Sequence, residues 1–152
     1  MTRHALATLA YRLGKVLLGT PAGFAAFQAA AGVRTPAQIL AHIGDLMDWA
    51  LAQVEGRKAW HNSTPLAWEQ EIQRLFTAIQ KLDDHIAAHG LGPATPERLL
   101  QSAIADALTH TGQIALLRRM AGIPVKAENY AMADIKEGKV GAEQSAPRLE
   151  FD

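Results

Sequence analysis

The stretch TPERLLQSAIADALTHTGQIALLRRMAG, residues 95–122, decides the fold. Leu99, Ala103, Asp106, His110, Gln113, Leu117 and Met120 follow one another at steps of four and three, which places them on one face of an α-helix. Thr95-Pro96 supplies an N-cap with proline at the first helical position and Gly122 a stop, so the spacing predicts a helix from Pro96 to about Ala121. Three consecutive members of that expected core stripe are polar. Burying such groups without partners costs about 2 kcal/mol or more apiece, so something must compensate them. Asp106 and His110, one turn apart, point the same way and can close on one ion. Gly112 leaves room for another backbone or a ligand to come close.

The same grammar recurs upstream. Ala5, Leu6, Leu9, Leu13, Val16 and Leu17 form an amphipathic stripe that ends at Gly19-Thr20-Pro21, and a short helical piece is expected over Ala22 to Ala31. Thr35-Pro36 opens a second helix, from Pro36 to about Glu55 before Gly56. Thr64-Pro65 opens a third, from Pro65 to His89, with Ile72, Leu75, Phe76, Ile79, Leu82 and Ile86 as its stripe and Gly90 and Gly92-Pro93 after it. Four helices with short or moderate connections predict an all-α protein, a four-helix bundle over residues 1–122. The tail, 123–152, carries Pro124, Gly138, Gly141 and Pro147 but also Tyr130, Met132, Ile135, Val140, Leu149 and Phe151. It is expected to pack on the bundle as a C-terminal extension of the same domain.

Composition sets the outer bounds. A chain of 152 residues with 49% hydrophobic and 20% charged residues is ordinary globular material for one domain. Fifteen Lys and Arg balance fifteen Asp and Glu, so no basic excess points to nucleic acid. The absence of cysteine leaves His, Asp and Glu for any metal. Arg12 and Lys15 interrupt the first apolar run too early for a signal peptide, and no window reaches the roughly 18 apolar residues of a membrane span. A soluble, cytoplasmic protein without a membrane partner is the expectation.

The second helix supplies the complement to Asp106 and His110. His42 lies in the run Ile39 to Leu46, with Leu46 and Trp49 at i+4 and i+7, on or beside the apolar face. Together His42, Asp106 and His110 offer two nitrogens and a carboxylate, a set suited to zinc, nickel or another transition ion with positions left open. Such an ion lowers the pKa of bound water to about 7 or polarises a carbonyl. Gln113, and Asp45 one turn from His42, would orient the ligands. Plainer readings stand beside these: a hydrogen-bonded core histidine for His42, a hydrogen-bonded pair or a solvated groove for Asp106 and His110, and solvated helix-face charges for Asp45 and Asp48. His85 and His89, with Asp83 and Asp84, form a competing cluster, read as imidazolium at a helix C-terminus. His4 and His61 have no partner. Of Trp49, Trp60 and Trp68, only Trp49 has a positional reason to lie near His42. No phosphate loop, Ser-His-Asp set or nucleophile elbow is present.

The segments Ile39 to Leu51 and Asp106 to Gly122 resemble the DinB/YfiT-like family of metal-dependent proteins. Many members carry His-x-x-x-His followed by Gly-Gln in the last bundle helix, and one histidine from the second helix. His42 matches the second-helix ligand and His110 the later histidine of the pair. Gly112-Gln113 follows in register, and Asp106 replaces the first histidine, which changes the charge and the preferred metal. The resemblance implies one divalent ion, zinc or nickel with iron and manganese as alternatives, in a homodimer acting on a small-molecule substrate. Some members resemble transferases or isomerases that use a low-molecular-weight thiol, and with water activation by the ion the expected activity is that of a metal-dependent hydrolase or a thiol-dependent transferase. The segment from Glu128 to Asp152 looks like an extension found in one subgroup. The alternatives are a non-catalytic helical ligand-binding or protein-interaction module without metal, and a once-catalytic scaffold whose Asp106 has abandoned the ion.

Overall fold

Each apolar stripe read from the sequence turns toward one core in the computed structural model, which describes residues 1–151. The fold is all-α apart from one short strand pair. Helix α1 (Thr2–Leu17), α2 (Pro36–Val54) and α3 (Trp68–His89) are followed by a last helix built of α4 (Pro96–Leu99), a π-helical turn (Leu100–Ile104) and α5 (Ala105–Met120). Leu6, Leu9 and Leu13 of α1, Leu40, Ile43 and Met47 of α2, and Leu75, Ile79 and Leu82 of α3 meet Leu99, Ala107 and Ile114 of the last helix. Full burial of one such large aliphatic side chain stabilises by about 1.5–3 kcal/mol. Helix α2 packs along α3, and α5 packs against both α1 and α2. No helix among the described residues is long and apolar enough to cross a membrane.

Two of the three Thr-Pro starts are N-caps. Thr35 accepts from the Gln38 backbone N–H while the Gln38 side chain accepts from that of Thr35, and Thr95 accepts from the Arg98 N–H at 3.2 Å. Thr64-Pro65 is not one: α3 starts at Trp68, after Ala67. The carboxylate of Glu71 takes the Leu66 N–H at 2.8 Å, and Ser63 is held by Asp45 of α2, so the chain stays extended up to the helix. The expected helical piece at Ala22 to Ala31 shrinks to a 3-10 turn, Ala22–Ala26, whose buried Phe24 packs edge-on against Trp68 at 5.8 Å.

The largest correction concerns the last helix. A π turn accommodates one extra residue, so it advances the buried face by one position. The expected stripe 103, 106, 110, 113 becomes Ala103, Ala107, Thr111 and Ile114, all buried, with Leu117 and Arg118 completing it. Asp106, His110 and Gln113 are moved to the flank of that stripe. The Asp106 side chain is 46% exposed, and Gln113 and Met120 are exposed. These polar groups are therefore not trapped in the core.

The tail folds back on α1, and β1 (Ala127–Glu128) pairs antiparallel with β2 (Glu150–Phe151). Gly14 makes the contact possible, since a Cβ there would lie 2.9 Å from Gln144 Cγ. Tyr11 donates to buried Glu128 at 2.6 Å, Lys15 bridges Glu128 and Glu150, and Val140 joins the core. Burial and the bond to Glu128 push the Tyr11 phenol well above its ordinary value. Arg118 donates to the carbonyls of Val16, Leu18 and Ile123 at 2.8–2.9 Å, closing the C-terminus of α1.

Candidate metal centre

His42 projects from the middle of α2, and Asp106 and His110 project from successive turns of α5, into the space between the two helices. His42 Nε2 lies 3.5 Å from Asp106 Oδ2, and His110 Nε2 lies 3.4 Å from Asp106 Oδ1. The two imidazole rings meet at right angles with centroids 4.8 Å apart. One ligating atom from each residue falls within 4.8 Å of the others. Donors bound at about 2.0–2.1 Å to one tetrahedral ion sit about 3.3–3.4 Å from one another, and each histidine stands at about that distance from one of the two Asp106 oxygens.

Protonation strengthens the fit. His110 Nδ1 is 2.7 Å from Gln113 Oε1, and since an amide oxygen can only accept, Nδ1 carries the proton. In the neutral ring Nε2 then presents a lone pair to the Asp106 carboxylate. Two lone pairs facing each other at 3.4 Å repel unless a cation, either a proton or a metal, lies between them. Gln113 is thus the residue that leaves Nε2 free.

Beside these three residues an open cavity of about 740 Å³ is lined by Leu46, Trp49 and Trp60 together with Gln101, Ser102, Ala105 and Thr109. Trp60 is edge-on to both His42 and Trp49, at 5.9 and 6.2 Å. Trp49 stands where its spacing from His42 places it. Trp60, named with Trp49 and Trp68 as a residue that could line a pocket beside the metal, comes from the connection between α2 and α3, which carries no periodicity to place it there. Trp68 packs elsewhere, donating to Thr20 at 2.9 Å.

Asp45 takes no part at His42. Its carboxylate faces α3 and accepts from the Ser63 backbone and hydroxyl at 2.8 and 2.7 Å and from Arg74, with His61 Nε2 3.0 Å away. Burial pushes its carboxyl up, but the Ser63 bonds and Arg74 outweigh that and hold it below the usual carboxylate range. Gly44 makes room for this cluster: a Cβ there would meet Arg74 Nη1 at 2.8 Å. Asp45, Asp48 and His61 also converge within 4.8 Å, yet Arg74 already supplies the cation, reaching Asp48 at 3.2 Å. His61 therefore has partners that the sequence did not disclose. His85 and His89 face each other at 5.0 Å, but Asp83 is engaged bidentately by Arg3 and Asp84 by Gln80, so the competing cluster does not assemble. Nothing lies within 4 Å of where a Gly112 Cβ would be, so no described part of this chain makes the expected close approach.

No family model matches the chain, and neither a curated protein nor a solved structure matches it. The arrangement of residues alone carries the functional reading.

Proposed function

We propose that the four helices form a DinB-like four-helix bundle that holds one divalent metal ion through His42, Asp106 and His110, and that the protein is a metal-dependent enzyme acting on a small molecule. Zinc and nickel suit two imidazoles and a carboxylate best. The observation that carries the reading is the convergence of the Asp106 carboxylate with Nε2 of His110, whose Nδ1 faces Gln113, with His42 alongside. When bound, the ion supplies Lewis acidity toward a water or thiol nucleophile, which gives hydrolysis or thiol transfer as the reaction class.

The chain's own residues do the rest. Gln113 fixes the His110 tautomer. Trp49 and Trp60 shield one side of the site from water, and the open cavity admits the substrate. Asp106 brings a negative charge that lowers the net charge at the ion from +2 to +1, which favours harder cations than three histidines would.

Elemental analysis of untagged protein purified without chelator, beside His42→Ala and His110→Ala, tests this. About one equivalent of zinc or nickel, lost in both variants, is the expected result. Full metal content in His110→Ala, or no metal in any of the three after reconstitution, overturns the proposal in favour of a non-catalytic helical module.

A further inference from the structure

The geometry points to an uncharged, ring-bearing ligand as the occupant of the cavity beside His42, and the inference deepens the metal reading by naming the class of molecule that this site takes. Its volume of about 740 Å³ is in the range that encloses a drug-sized molecule. Two of its walls are indole rings packed edge to face on each other, and an aromatic ring entering beside the pair gains offset or edge contacts with them. Leu46 adds an aliphatic wall.

The polar lining is as informative. Thr109 donates its hydroxyl hydrogen to the Ala105 carbonyl and Ser102 to that of Arg98, so neither has a hydrogen left for a ligand. Gln101 is the remaining side-chain amide, and the carboxylate in the lining belongs to Asp106. No lysine or arginine lines the cavity. Guanidinium groups on the flanking elements have partners of their own: Arg74 has Asp45, Asp48 and Glu71, Arg57 has Glu55, and Arg98 has Gln53. In the metal-free site an anionic body would lie against indole rings and the Asp106 carboxylate with no lysine or arginine in the lining to receive it. A neutral ring carrying a single donor atom toward the three ligand residues meets none of these penalties.

The test uses two probes that share one aromatic skeleton and differ by a sulfonate: neutral N-phenyl-1-naphthylamine and anionic 1-anilinonaphthalene-8-sulfonate. Binding to the full chain is followed by probe fluorescence and titration calorimetry, with the protein both metal-free and zinc-loaded. The expected result is one neutral probe per chain, bound at least about tenfold more tightly than the sulfonate in the metal-free protein. Trp60→Ala should weaken the neutral probe about tenfold. Ala105→Trp, which plugs the cavity from its exposed rim, should abolish probe binding to the metal-free protein. Equal or tighter binding of the sulfonate, or neutral binding untouched by Ala105→Trp, overturns the inference. Because the metal-free protein is read separately, failure of metal binding and failure of the ligand class give different patterns.

Discussion

Replacing Gln113 by leucine probes the tautomer at His110 without touching the core. Gln113 is exposed, and its amide oxygen, 2.7 Å from Nδ1, is the group that fixes the proton there. Without it the ring is free to carry its proton on Nε2, the atom that faces Asp106. Removing an outer hydrogen-bond partner of this kind weakens metal affinity by about 10- to 100-fold. At a free metal concentration of about 100 times the dissociation constant, binding stabilises the native state by about 2.7 kcal/mol. The same concentration leaves about 1.4 kcal/mol after a tenfold loss and about 0.4 kcal/mol after a hundredfold loss. At roughly 3 °C per kcal/mol for a chain of this length, the metal-induced rise in Tm falls from roughly 8 °C to roughly 1–4 °C. Chelator competition at pH 7.5 gives the affinities, and calorimetric melts with and without metal give the shifts. Gln113→Glu keeps an acceptor for Nδ1 and should retain at least the wild-type affinity. If the leucine variant keeps its affinity within about twofold, the hydrogen bond does not select the ligating nitrogen.

Other consequences follow from the same geometry. Arg118→Met leaves the carbonyls of Val16, Leu18 and Ile123 without their donor and should cost about 2–4 kcal/mol in urea unfolding; an unchanged midpoint would mean that water replaces the guanidinium. Tyr11→Phe strips a donor from buried Glu128 and should cost about 1–3 kcal/mol near neutral pH. The phenol's folded pKa is raised, so its contribution is complete below its ordinary 10.0 and is lost as pH climbs through the folded value. Thermal melts above pH 10 should therefore show the gap between wild type and variant narrowing. Asp45 has the opposite sign: its folded pKa is depressed, so the anchor it provides is complete above the ordinary 3.8 and is lost as pH falls below it. Limited proteolysis should cut the segment around Trp60 faster in Asp45→Asn at pH 7, and acidification should sensitise wild type but not the variant; equal rates throughout would refute the anchor.

The helices were legible because their signals are local. Thr35-Pro36 and Thr95-Pro96 announce caps through side chains that reach three residues ahead, and the periodic leucines need no partner to be seen. The convergence of His42, Asp106 and His110 was legible for a related reason: each lies at or beside an apolar stripe, and stripes meet in the core. The π turn was invisible. Leu100 to Ile104 has ordinary helical composition, and only packing against α1 and α2 reveals that the buried face moves on by one residue. The spacing argument thus named residues that do come together, but with the wrong burial, placing Asp106 and Gln113 in the core when they stand at its margin. Thr64-Pro65 misled because distant partners compete for it: Asp45 holds Ser63 across the loop, and Glu71 reaches back to Leu66. Long-range bonds of this kind, like Trp60 against His42, leave no trace in local pattern.

The way the α2–α3 connection is pinned bears on how the cavity fills. A free connection of this length would sample many conformations, and a ligand stacking on Trp60 would have to collect one of them at an entropic cost of about 0.5–1.5 kcal/mol for each side chain immobilised. Here Ser63 is fastened to Asp45, and Leu66 to Glu71, before anything binds. The wall stands ready, so encounter should be governed by diffusion through the open side, with a single fast binding phase in stopped-flow and no slower step of closure.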